Sequence, residues 1–114
     1  MAGIGPEAVP LLARTLGNRL PSVRCWAARA LAQLGPEARP ATAALLKALK
    51  DEHADVRLCA APALGGIGPG AKKAVPALEE ALKDPDRSVR QAAAEALQRI
   101  DPRSANGEDS AADD

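Results

Sequence analysis

The dipeptide Val-Arg stands at residues 23–24, 56–57 and 89–90, and a leucine follows each valine by eight residues, at Leu31, Leu64 and Leu97. The chain therefore repeats itself every 33 residues, and a fixed period of this length marks stacked units, each one supersecondary element. Gly35-Pro36 and Gly68-Pro69 keep the spacing. Gly5-Pro6 lies 30 before Gly35, so the first unit is three residues short just after Ala8, and beyond that gap Val9 aligns again with Thr42 and Val75.

Each period holds two helical patterns. In the second, Val89, Ala93, Ala96, Leu97 and Ile100 fall at i, i+4, i+7, i+8 and i+11, one stripe of a 3.6-residue helix, and Val23, Ala27, Ala30, Leu31 and Leu34 repeat it. Ser22, Asp55 and Ser88 stand at the starts, where a short side-chain oxygen accepts from free backbone NH groups. Gly-Pro pairs close the ends. The first pattern is shorter, with stripes Val9/Leu12/Leu16, Leu45/Ala48/Leu49 and Val75/Leu78/Leu82, and Pro10, Pro40 and Pro76 lie near its start, where a missing NH costs least. The spacing predicts helices over about 6–17, 22–34, 39–50, 55–66, 72–83 and 87–100.

Composition agrees: 27 Ala and 14 Leu make over a third of the 114 residues, while one Trp and no Phe or Tyr leave little for a sheet or an aromatic core. A lone pair of such helices cannot hide both faces, so neighbours must stack, with small residues such as Ala27, Ala60 and Ala93 allowing close approach. The expected fold is all-α: a short right-handed α-solenoid of three antiparallel helix pairs, at about 4–34, 35–67 and 68–100. Both ends are expected to stay partly open, which makes end-to-end self-association a possible behaviour.

The net charge of zero hides an asymmetry. Residues 1–100 carry 14 basic and 10 acidic side chains, and residues 101–114 carry one and five. Beyond Asp101-Pro102 no apolar periodicity continues, so 101–114 reads as an acidic disordered tail. No apolar run approaches the roughly 20 residues of a membrane span, no secretory pattern follows Met1, and Cys25 and Cys59 belong to no CxxC or Cys/His cluster. The expectation is a cytoplasmic protein with both thiols reduced.

The segments Ser88-Val89-Arg90-Gln91-Ala92-Ala93-Ala94-Glu95-Ala96-Leu97, Leu64-Gly65-Gly66-Ile67-Gly68 and Ala74-Val75-Pro76-Ala77-Leu78-Glu79-Glu80-Ala81-Leu82-Lys83-Asp84 resemble HEAT repeats of the short bacterial kind called PBS-lyase HEAT-like, and the resemblance covers residues 4–100. It implies an interlayer ladder of Arg24, Asp51, Arg57, Asp84 and Arg90, each arginine six residues after Asn18, Asp51 or Asp84. The guanidinium fork suits such linking. Asn18 departs from the aspartate, so the first rung is expected to be the weaker one. A phosphate or acidic-ligand stripe is the alternative use of the same arginines.

The resemblance also implies that the second helices line a concave surface. Its ligand-facing positions would be Cys25, Arg29, Ala32 and Gln33, then Leu58, Pro62 and Gly65, then Gln91, Glu95, Gln98 and Arg99. This mixed set suits a protein or peptide partner better than a nucleic-acid backbone, which wants clustered Lys and Arg; the +4 body argues the same way. Trp26 fills a slot held by Cys59 and Ala92 in later repeats, either covering core that lacks a preceding neighbour or contacting a ligand. Pro62 is expected to kink its helix.

Catalytic equipment is thin. His53 is the only histidine, in the polar loop Asp51-Glu52-His53-Ala54-Asp55, whereas the HEAT-type deoxyhypusine hydroxylases hold two irons with several His-Glu pairs. Three repeats without Tyr or Phe make a poor cleft for the tetrapyrrole of a phycobilin lyase. There is no P-loop and no GxGxxG, and neither cysteine has a base nearby in sequence. The chain reads as a non-enzyme without metal or cofactor, a scaffold for a protein partner; the alternative is an accessory subunit or remnant of a lyase or oxidoreductase of this repeat class.

Overall fold

The computed structural model describes residues 5–102; the rest of the acidic tail lies outside the described residues. Six α-helices follow one another there without a strand: α1 (Val9–Thr15), α2 (Pro21–Leu34), α3 (Thr42–Ala48), α4 (Ala54–Ile67), α5 (Val75–Ala81) and α6 (Arg87–Ile100). They form three pairs, and the second helix of each pair carries the stacking, since α4 packs on both α2 and α6. The body measures 48 × 28 × 22 Å, an elongated α-solenoid rather than a globule.

Equivalent residues face the same way. Leu31, Leu64 and Leu97, one per layer, are all fully buried, as are Leu45 and Leu78, and Val56 and Val89. Four stripe positions depart: Leu82 is 38% exposed where its equivalent Leu49 is 4% exposed, and Val23, Leu34 and Val75 are only half-buried. All four lie in the outer pairs, each of which has a neighbouring layer on one side only among the described residues.

The first helices begin later than the spacing predicts. Pro6–Ala8, Gly35–Ala41 and Gly68–Ala74 are 3-10 turns, and α geometry starts only at Val9, Thr42 and Val75. Pro6, Pro36 and Pro69 sit in the first two positions of these turns, where a missing NH costs least, and Ala71 in the last of them leaves helical geometry at φ -101° and ψ 26°. Gly35 and Gly68 sit at φ +64° and +77°, a left-handed conformation that reverses the chain after α2 and α4 and disfavours side chains with a Cβ.

The caps also differ. The second helices start at Leu20, His53 and Asp86, two residues before the expected Ser22, Asp55 and Ser88. Asn18, Asp51 and Asp84 cause this: each Oδ1 accepts, at 2.9 Å, the backbone NH two residues on, which closes the turn early. Of the three caps only Asp86 uses its side chain, accepting from the NH groups of Ser88 and Val89. α4 continues through Pro62 as one helix, with the proline ring on its exposed side.

The two ends carry different side chains. Positions facing the next layer hold Ala13, Cys25 and Ala32 in the first pair and Leu46, Leu58 and Gly65 in the second, but Glu79, Gln91 and Gln98 in the last. The last layer thus presents a polar edge. The first leaves Leu11, Leu20 and Trp26 between 53% and 58% exposed.

Candidate functional site

Arg24 of α2 and Arg57 of α4 each meet the layer ahead. Arg24 Nε donates to Asp51 Oδ2 at 2.7 Å and Nη2 to Oδ1 at 3.0 Å; Arg57 makes the same pair of bonds to Asp84 at 2.8 and 3.2 Å. Each Nη1 reaches back six residues, to the carbonyl of Asn18, Asp51 or Asp84, at 2.7 Å. The residue six before an arginine therefore receives it through the backbone, while the carboxylate comes from 27 residues ahead. Asn18 does not weaken the first rung: as the equivalent of Asp51 it would face an arginine of a layer before the first, and the Arg24–Asp51 bonds are no longer than those of Arg57–Asp84.

Burial works to raise the Asp51 and Asp84 carboxyls, but the arginine bonds and the NH groups of His53 and Asp86 outweigh it and hold both below the usual carboxylate range. Arg24 is raised in turn, chiefly by its bonds to Asp51.

On the face of the second helices, a groove of about 470 Å³ runs between α2 and α4, lined by Ser22, Cys25, Trp26, Arg29, Asp55, Leu58 and Cys59. A neighbouring hollow of about 650 Å³ shares Ser22, Cys25 and Asp55 and extends to Glu52 and His53. Together they form one trough from Trp26 to the turn before α4. Of the expected concave residues, Cys25, Arg29 and Leu58 gather here. Gln33, Pro62, Gln91, Glu95, Gln98 and Arg99 are exposed but line neither hollow, and Gly65 is buried in the joint with α6, where a Cβ would come within 3.0 Å of Ala96.

Ser22, Asp55 and Cys59 were not among those expectations. The signal was available: Ser22, Cys25, Trp26 and Arg29 lie at i, i+3, i+4 and i+7, and Asp55, Leu58 and Cys59 repeat the first three 33 residues later. The solvated-loop residue His53 is exposed and joins the trough wall. Burial, with the Cys59 thiol and the Asp55 carboxylate nearby, pushes the Cys25 thiol up to about 11, against the pull of Arg29. Among the described residues no three His, Cys, Asp or Glu side chains come together as a metal site.

A HEAT repeats family profile matches residues 42–113, well over half the chain. This chain belongs to the HEAT-repeat family. Its HEAT units are also similar to the PBS lyase HEAT-like repeat, which matches residues 23–51. A search of curated proteins gives no match. Among solved structures, the HEAT stack is similar to the crystal structure of an engineered protein, with a TM-score of 0.71 and 29% identity over 82% of this chain. That alignment covers 45% of the other protein, so this chain spans under half of its length. Among the described residues of the HEAT stack, no helix is long and apolar enough to cross a membrane.

Proposed function

We propose that this HEAT-repeat chain is a scaffold that holds a protein partner along the trough between α2 and α4, on the surface that the family geometry makes concave. One observation carries the reading: Trp26, the sole aromatic residue, is half-exposed in a hollow beside Leu58, with Arg29 and Asp55 on the same walls. An exposed ring in a concave site, flanked by one charge of each sign, suits an extended peptide segment that sets an apolar side chain on the indole and pairs its own charges at the rim. The reading places the protein in the cytoplasm and gives it no catalytic step.

A photo-crosslinking residue tests this, placed at position 29 in the trough or at Lys47 on the opposite, first-helix side. In the source cell, position 29 is expected to capture a discrete protein that Trp26→Ala loses, and position 47 is not. Capture from position 47 alone would move the binding surface off the trough.

The match of residues 23–51 to a lyase-type repeat favours a second reading, an accessory piece of a larger lyase or oxidoreductase. Visible absorption and metal analysis of protein purified from its source separate the two: pigment or iron supports the accessory role.

A further inference from the structure

The trough holds a pair of thiols that the scaffold role does not use. Cys25 points from α2 toward the next layer, and Cys59 occupies the edge of α4 that faces back. Both are free, half-buried and on the walls of the same groove. The helix register fixes how they meet. Two turns further along the same pair of edges, seven residues on from each, stand Ala32 and Gly66, and there α2 and α4 approach so closely that a Cβ on Gly66 would lie 3.3 Å from the Ala32 carbonyl oxygen. Seven residues are close to two helical turns, so the cysteines return to the same facing edges as this contact.

We propose that Cys25 and Cys59 form a reversible disulfide that staples the first layer to the second across the trough. The oxidant is a low-molecular-weight disulfide of the glutathione class. Cys59, as thiolate, attacks one sulfur of the oxidant and expels the other half as a thiol. Cys25 then gives up its proton and attacks Cys59 Sγ, releasing the second half, so two protein thiols and one disulfide become one protein disulfide and two small thiols. Cys25 suits the resolving role, since the burial that holds its proton disfavours it as the first attacker. The second step is intramolecular between fixed helices, and the mixed disulfide has no need to persist.

Trp26, next to Cys25 in sequence and sharing the groove with Cys59, reports the bond, because no other residue of the chain is aromatic. The full chain is titrated with glutathione disulfide against glutathione, followed by intact mass, peptide mapping and tryptophan emission. The expected result is a monomer lighter by two hydrogens, a Cys25–Cys59 cross-linked peptide, a drop in emission and full reversal by dithiothreitol. Cys25→Ser should instead keep one glutathione on Cys59, and the same change in emission should not appear. Stable glutathione adducts or intermolecular dimers in the unsubstituted protein would overturn the proposal. So would an internal bond that forms only after urea has unfolded the chain.

Discussion

Arg57 donates two hydrogen bonds to Asp84, 27 residues ahead in the next layer, from Nε at 2.8 Å and from Nη2 at 3.2 Å. The same guanidinium donates from Nη1 to the Asp51 carbonyl, so one side chain spans the joint and ties down the turn before its own helix. Both partners are shielded, at 16% and 9% side-chain exposure. Asp84→Asn is expected to cost about 1–2 kcal/mol in urea denaturation, above the usual worth of a surface pair and below that of a dry one. A double-mutant cycle with Arg57→Ala should return most of that as coupling. A loss of only a few tenths would mean the layers are held by apolar packing alone.

The pH dependence has a definite sign. Asp51 and Asp84 titrate below their unfolded value of about 3.9, so their contribution is present in full above that value and is lost as pH falls through the lowered folded one. Melting temperature is expected to drop as acid is added through this range. The double variant Asp51→Asn with Asp84→Asn should start lower at neutral pH and fall less steeply. Parallel curves for the two proteins would sink this account.

Pro62 costs α4 a backbone bond to the Leu58 carbonyl without ending the helix. The ring is exposed, so replacement by alanine restores the donor and leaves the core untouched. Pro62→Ala should stabilise the protein by about 1–3 kcal/mol, less the entropy that proline removes from the unfolded chain. Calorimetry reads the sign; a lower melting temperature would mean that proline's rigidity outweighs the missing bond.

The unlike ends predict how copies associate. Head-to-tail stacking would bring the polar edge of Gln91 and Gln98 against Leu11 and Trp26, and would offer Arg90 the neutral Asn18 where inner joints offer an aspartate. Sedimentation over a concentration series is expected to show no ladder of oligomers. Any pairing should run through the first layer, and Leu11→Glu should abolish it. A growing ladder would contradict this polarity.

Much of this architecture was legible because the repeated positions are few and carry one physical demand each. Val56, Leu64 and Leu97 had to be inside, and the 33-residue spacing located them. Leu82 escaped the rule because its burial depends on a neighbour that the stripe itself does not report. The arginine ladder was legible in its residues but not in its pairing: Asp51 and Arg57 are close in sequence, yet the carboxylate turns toward Arg24 in the layer before while only the carbonyl serves Arg57. The trough was half legible. Cys25, Arg29 and Leu58 followed from the family geometry, whereas its walls depend on how far α2 and α4 separate, a distance set by side-chain volumes on both helices together.

The middle layer alone meets a full joint on either side: it gives an aspartate to the arginine before it and an arginine to the aspartate after it. A gene duplication that copied this layer whole would splice in with every tie satisfied and neither terminus disturbed. Length in such a protein is thus a heritable setting that can change by whole increments, while its two extremities keep their separate characters.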